Sequence, residues 1–182
     1  MARPKEPLPF RGYVQIYTGE GKGKTTAALG LALRAAGHGL RTYIGQFMKG
    51  QSYGELGAAH RLAPFLTIEQ FGRKRFLHVS GAPAAPDVRR ARRGLARCRA
   101  AMLSGRYAIV VLDEVLVAIF FNLLTEADVR AVLDERPDAV EIVLTGRRAP
   151  ASLVRRADLV TEMKARKHYY ARGVEARAGI ER

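Results

Sequence analysis

Short apolar runs alternate with longer segments of helical periodicity along most of this 182-residue chain. The runs have the length of buried strands, and the longer segments repeat apolar residues every three or four positions, as helices buried on one face do. This alternation predicts an α/β fold with three layers, in which helices cover both faces of a mostly parallel sheet. The predicted strands are residues 13–18, 41–47, 66–71, 107–112, 140–144 and 159–163, and the predicted helices are residues 24–36, 54–62, 86–103, 125–136 and 151–156.

We predict a single domain over residues 1–182, because neither an internal repeat nor a linker interrupts the alternation. Residues 1–11 contain three prolines and mixed charge, which predicts an irregular N-terminal arm. No apolar run is long enough to span a membrane, and the N-terminus lacks the apolar core of a signal peptide. We therefore expect a cytoplasmic protein with no membrane partner.

The first predicted strand runs directly into a glycine-rich loop that ends in Gly-Lys-Thr-Thr, where a helix begins. Strand, loop and helix in this order predict a phosphate-binding P-loop, and so a three-layer P-loop fold with one nucleotide-binding domain. Glycines let backbone N–H groups face phosphate oxygens, and the helix N-terminus adds free N–H groups and its positive dipole end. The predicted nucleotide-binding residues of the loop are Gly19, Glu20, Gly21, Lys22, Gly23, Lys24, Thr25 and Thr26.

Within this loop Lys24 supplies a full positive charge, and the Thr25 hydroxyl can hold a magnesium ion. The common pattern, G-x-x-x-x-G-K-[ST], would place a glycine at position 18, whereas this chain has Thr18 there and Gly19 one residue later. We therefore expect the loop to curl differently at its start.

A second candidate element is the apolar run 109–112, which ends in Asp113 and Glu114. In phosphate-binding proteins of this fold such an acid holds magnesium, directly or through water. Successive side chains of a strand point to opposite faces, so one of the two acids should be the leading metal ligand. Carboxyl ends of parallel strands meet at one edge of the sheet, so we expect four polar residues that follow strands to converge there. These residues are Thr18, Gln46, Asp113 and Thr145.

The chain is strongly basic, with 31 Lys and Arg against 17 acidic residues and a net charge of +14. This charge suits anionic ligands such as nucleotides or nucleic acid. Six arginines lie in the predicted helix 86–103, where a solvated helix face is the favoured interpretation and an RNA-binding face the alternative. Cys98 is the only cysteine, which excludes an internal disulfide and a cysteine-rich zinc site.

Taken in order, these motifs resemble those of the corrinoid adenosyltransferases of the P-loop class, and the shifted glycine of the loop matches that family. The resemblance implies transfer of the 5′-deoxyadenosyl group of ATP to the Co(I) of a corrinoid, either cobalamin or cobyrinic acid diamide, with release of triphosphate. The resembling stretches cover nearly the whole chain and are residues 18–28, 37–39, 46–50, 54–55, 112–114, 145–147, 157–163, 167–168 and 173–181.

The resemblance also implies a Mg²⁺ or Mn²⁺ ion and a homodimer, and it leaves room for an electron-donating reductase as a partner. It assigns catalysis to Lys24, Thr25 and Glu114. It assigns metal binding to Thr25 and Glu114 first, and to Asp113 as the next candidate ligand. Substrate contacts are expected from four further residues: Gln46, Lys49, Phe76 and Arg147.

Phe76 matches an aromatic residue that the family uses near the lower face of the corrin. Two departures stand out. His78 replaces a second aromatic that the family often has, and an exposed loop histidine is its favoured interpretation over an approach to cobalt. Residues 115–121 are more apolar than usual in the family, which predicts a buried helix or a dimer contact.

The main alternative is a nucleic-acid-dependent ATPase on a related fold, which the net charge and the arginine-rich helix favour. Its products would be ADP and phosphate, whereas the transferase releases triphosphate. A thymidine-kinase-like enzyme commonly has a cysteine zinc site that one cysteine cannot build, and a non-enzymatic corrinoid carrier would need no phosphate-binding loop. On the preferred interpretation we expect no nucleic acid partner.

Overall fold

The structure is a computed structural model that describes residues 10–73 and 83–181. A six-stranded sheet forms its centre, and all five strand pairings are parallel. The strands are β1 (Val14–Thr18), β2 (Thr42–Phe47), β3 (Leu66–Phe71), β4 (Ile109–Asp113), β5 (Glu141–Thr145) and β6 (Leu159–Glu162). Their order across the sheet is β3-β2-β4-β5-β1-β6.

Helices cover both faces of this sheet, as predicted. Alternate residues of the central strands contribute to two separate apolar clusters, so that Val110 and Leu112 lie in one cluster and Val111 in the other. This division follows from the period of two along a strand, and it explains why the central strands are apolar throughout. The helices are α1 (Lys24–Gly37), α2 (Gly54–Arg61), α3 (Ala85–Leu103), α4 (Val115–Phe120), α5 (Glu126–Asp134) and α6 (Ala151–Arg156), followed by a 3₁₀ helix (Tyr169–Arg172).

One predicted strand differs from the structure, and one of the two alternatives left open for residues 115–121 is found. β6 was expected to be a core strand, but it is an edge strand that pairs with β1, and all four of its residues are exposed. Its apolar residues fit the β pattern, which does not report whether a layer covers the strand. Of the two alternatives for residues 115–121, the buried helix is the one found, because Val115, Leu116 and Ala118 of α4 are fully buried.

The arginine-rich helix α3 buries the predicted apolar stripe, which includes Ala91, Leu95, Cys98 and Met102. Its arginines pair with acids of neighbouring elements: Arg97 lies 2.6 Å from Glu69, and Arg99 is paired with Glu135. These ion pairs support the interpretation of a solvated helix face. None of the described helices is both long enough and apolar enough to cross a membrane.

Candidate active site

The glycine-rich loop between β1 and α1 folds against the chain that leaves β6. Gly19 and Gly23 have φ values of 96° and 121°, which favour glycine, and the Gly21 N–H donates to the Met163 carbonyl at 2.7 Å. A Cβ atom on Gly19 would lie 2.4 Å from that carbonyl oxygen, and one on Gly21 would lie 2.7 Å from it. The sequence explained the glycines by phosphate binding alone, but close packing against Met163 requires two of them as well.

Lys24 is the first residue of α1, and its side chain curls into the loop that precedes it. The ammonium donates to the carbonyls of Gly19 at 2.7 Å and Gly21 at 2.8 Å, and the residue is only 7% exposed. Burial lowers the pKa of this ammonium, and the charge of Arg147 acts in the same direction. The loop therefore holds a fixed cation at its centre, as the sequence predicted for a phosphate site.

Asp113 joins the site residues to one another. It ends β4, is fully buried, and its Oδ1 atom accepts hydrogen bonds from the hydroxyls of Thr25 at 2.9 Å and Thr145 at 2.7 Å. Its Oδ2 atom accepts from the Lys49 ammonium at 2.9 Å and from the Gln46 amide at 3.3 Å. These four donors compensate the cost of burying a carboxylate.

The strand order explains how these groups meet. β5 lies between β1 and β4, so Thr145 at its end stands between the phosphate loop and Asp113. The sequence placed Gln46, Asp113 and Thr145 at the same edge of the sheet, and the structure confirms that their side chains converge. The Thr18 hydroxyl instead accepts a hydrogen bond from the Ala149 N–H at 3.4 Å, so it turns away from this group.

Glu114 does not continue the strand. Its φ is 62°, in the left-handed region, and its N–H donates to the Thr145 hydroxyl at 2.9 Å. Burial raises the pKa of its carboxyl group, and the neighbouring Asp113 charge raises it further. Within the part of the chain that the structure describes, no hydrogen bond reaches the Glu114 carboxylate. The argument from strand alternation, by which one of the two acids should lead, does not apply, because the chain leaves β4 between them.

A second row of polar side chains supports Gln46 and Lys49. Gln46 is fully buried; its amide donates to Glu55 at 3.0 Å, and its carbonyl accepts from the Gln70 amide at 3.0 Å. Burial alone would lower the pKa of Lys49. The negative charges of Asp113, Glu55 and Glu114 outweigh burial, so the pKa is raised. Glu55 and Gln70 were not among the predicted site residues, although Glu55 lies in one of the resembling stretches.

Other predicted residues lie around this centre rather than in it. Arg147 pairs with Glu20 of the loop at 3.0 Å, and both side chains are more than half exposed. Lys22 donates to the Ile180 carbonyl at 3.2 Å. Thr26 is exposed on the first turn of α1. Phe76 and His78 lie outside the described residues.

Comparison with known proteins identifies the family. The family model described as "ATP:corrinoid adenosyltransferase BtuR/CobO/CobP" matches residues 10–182. The corrinoid adenosyltransferase CobA of Salmonella typhimurium is 32% identical, over 99% of this chain and 90% of that protein. The corrinoid adenosyltransferase of Pseudomonas aeruginosa is 32% identical, over 94% of this chain and 84% of that protein. The chain belongs to the ATP:corrinoid adenosyltransferase family.

Membership in the ATP:corrinoid adenosyltransferase family confirms the resemblance seen in the sequence, and it does not support the nucleic-acid-dependent ATPase. The donor atoms at the site also suit the Mg²⁺ or Mn²⁺ ion that the resemblance implies. Hydroxyl and carboxylate oxygens are hard ligands, and Mg²⁺ is commonly held by one or two carboxylates together with substrate phosphates. Thr25 and Asp113 offer such atoms 2.9 Å apart. Among the described residues no group of three His, Cys, Asp or Glu side chains could hold a metal ion.

Proposed function

We propose that this protein transfers the 5′-deoxyadenosyl group of ATP to the Co(I) atom of a corrinoid and releases triphosphate. The observation that carries the proposal is the phosphate loop joined through Thr25 to a buried carboxylate, in a chain that belongs to the ATP:corrinoid adenosyltransferase family. In this reaction the Co(I) electron pair forms a bond to C5′ of ATP. The bond from C5′ to the triphosphate oxygen breaks, and its electrons leave with triphosphate.

The residues of the site meet the needs of this chemistry. Co(I) is a strong nucleophile without a proton, so the transfer step requires no general base. It requires C5′ to be held in line with cobalt, and well-oriented positioning can contribute about 7–11 kcal/mol. It also requires stabilisation of the charge that grows on triphosphate. We assign triphosphate binding to residues 19–26, with the Lys24 ammonium at the centre of the loop.

For the metal ion, we assign Thr25 and Asp113 as the leading protein ligands and place Glu114 after them. Direct contact between Thr25 and Asp113 supports this order. The left-handed Glu114 backbone removes the alternation of strand side chains as support for the reverse order, which then rests on the family resemblance alone. When bound, the ion would neutralise part of the triphosphate charge. Gln46, with Glu55 behind it, keeps the Asp113 carboxylate oriented.

The decisive experiment is anaerobic incubation of the protein with ATP, Mg²⁺ and chemically reduced cobalamin. We expect a light-sensitive Co–C absorption spectrum and one triphosphate released for each corrinoid converted. Formation of ADP and phosphate without a Co–C product would contradict the proposal and favour an ATPase. The preferred corrinoid follows from repeating the assay with cobyrinic acid diamide.

Three further proposals rest on the family resemblance. We place Phe76 against the lower face of the corrin, we expect a homodimer, and we expect an electron-donating reductase to supply Co(I) in a cytoplasmic setting. In the run 115–121, α4 buries Val115, Leu116 and Ala118 in its own domain, whereas Phe120 is 45% exposed and is the residue of this run most available to a dimer contact. Light scattering at micromolar concentration tests the dimer, and a monomeric mass would contradict it.

A further inference from the structure

The Lys49 ammonium lies on the same two oxygen-bearing groups that we assign to the metal ion. It is 2.9 Å from Asp113 Oδ2 and 3.2 Å from Thr25 Oγ1. A single cation therefore bridges the hydroxyl at the start of α1 and the carboxylate at the end of β4. The sequence suggested only that Lys49 contacts a substrate, and it gave no reason to place a protein cation at this point.

Lys49 is held at this position by its surroundings. The Lys49 side chain is 16% exposed, and its ammonium lies 5.3 Å from the centre of the Tyr53 ring. Its carbonyl accepts a hydrogen bond from the Gly72 N–H at 2.8 Å, which fixes the backbone. The preceding residue, Met48, has a φ of 58°, a conformation that residues other than glycine adopt rarely. These contacts indicate a defined position for the ammonium.

The structure also offers the ammonium a second partner. The Glu55 carboxylate lies 3.9 Å from the Lys49 ammonium, and its side chain is 14% exposed. Glu55 is fixed by the Gln46 amide at 3.0 Å. A small rotation of the flexible lysine side chain would tighten this ion pair while it loosens the contact with Asp113. Lys49 can thus release the Asp113 carboxylate and still be paired with a carboxylate, that of Glu55.

We propose that the Lys49 ammonium and the divalent metal ion occupy this position in turn. The proposal rests on the metal ligands assigned under the proposed function. The Lys49 ammonium and a metal ion held by Asp113 and Thr25 would share one carboxylate group and one hydroxyl, and two cations this close together repel each other strongly. In the nucleotide-free protein Lys49 neutralises Asp113; when the metal enters with ATP, Lys49 moves toward Glu55. The protein should consequently bind divalent metal weakly until the nucleotide phosphates add their own ligands.

Mn²⁺ binding to the nucleotide-free protein, measured by electron paramagnetic resonance, tests this proposal. A neighbouring cation changes the proton affinity of a carboxylate by one to three pKa units, so removing it should tighten Mn²⁺ binding by about tenfold or more. We expect that gain in Lys49→Met. The matched control is Lys164→Met, which removes an exposed cation that pairs with Glu162 at 3.1 Å instead of Asp113, and its Mn²⁺ affinity should equal that of the wild type.

The double variant Lys49→Met with Asp113→Asn should lose the gain, since the carboxylate that binds the metal is gone. Mn²⁺ should raise the melting temperature of Lys49→Met more than that of the wild type, because a ligand stabilises the folded protein according to its affinity. If Lys49→Met binds Mn²⁺ no more tightly than the wild type, or if Lys164→Met gains as much, the proposal is wrong.

A measurement on the unaltered protein covers the case in which Lys49→Met does not fold. Reductive methylation followed by mass spectrometry reports how accessible each lysine is. We expect Mn²⁺ with ATP to change the labelling rate of Lys49, normalised to that of the exposed Lys164, relative to ATP alone, because the ammonium exchanges Asp113 for Glu55. An unchanged rate would overturn the proposal. None of these measurements involves corrinoid, so their failure would leave the proposed transferase reaction intact.

Discussion

Thr145→Val removes one hydroxyl that joins three parts of the active site. The hydroxyl donates to Asp113 Oδ1 at 2.7 Å and accepts from the Glu114 N–H at 2.9 Å, and the residue is fully buried. Losing a hydrogen bond to a charged group costs about 1.5–3 kcal/mol, and leaving a buried N–H without a partner costs about 1–3 kcal/mol. We therefore expect the free energy of unfolding to fall by about 3–5 kcal/mol. For a protein of this size that corresponds to a melting temperature lower by about 6–20 °C.

The structure provides a matched control in the same sheet. Thr42 begins β2, is also fully buried, and its hydroxyl has no hydrogen-bond partner in residues 10–73 and 83–181. Thr42→Val makes the same chemical change without breaking a hydrogen bond, and removing an unpaired buried hydroxyl should stabilise the protein by about 1 kcal/mol.

Calorimetric melting of both variants, together with the ATP dependence of the adenosylation rate, provides the assay. Thr145→Val should also lower kcat/KM for ATP, because Asp113 loses one of the donors that orient it. Equal shifts in melting temperature for the two variants would refute the reasoning, since the hydrogen bonds of Thr145 would then contribute nothing.

Four further outcomes are expected. Lys24→Ala should remain folded and lose about 100-fold or more in adenosylation rate, because a preorganised cation for triphosphate is gone; near-normal turnover would remove the loop from the mechanism. Asp113→Asn should weaken Mg²⁺-dependent activity more than Glu114→Gln does, and the reverse order in a metal titration would exchange their roles. Folding raises the pKa of the Glu114 carboxyl above its ordinary value of 4.5, so its ionisation lowers the stability of the folded protein as the pH rises above 4.5. Glu114→Gln should therefore have a higher melting temperature than the wild type at pH 7, and the difference should shrink as the pH falls toward 4.5. Phe76→Ala should lose most activity from Co(II) with a weak reductant but much less from preformed Co(I), with ATP affinity unchanged, and equal losses from both would contradict a role at the lower face.

Much of the fold could be read from local pattern. The apolar runs marked all six strands to within two residues at each end, and the helix predicted for residues 125–136 is present as α5, which begins with a capping box at Thr125 and Asp128. The glycine loop and the acid at the end of an apolar strand predicted a phosphate site from local sequence, because strand, turn and helix are specified by neighbouring residues. The resemblance of these motifs then identified the family that the comparisons confirm.

What the tertiary structure alone decided concerns contacts between distant parts of the chain. Asp113 lies 88 positions from Thr25, and only the order of the strands, with β5 between β1 and β4, brings Thr25, Thr145 and Asp113 together. Local pattern likewise could not show that Glu114 leaves its strand, that β6 lies uncovered at the edge, or that Lys49 neutralises Asp113. Hydrophobic periodicity reports which face of an element is buried, whereas the partner of a buried charge depends on how the elements are arranged in space.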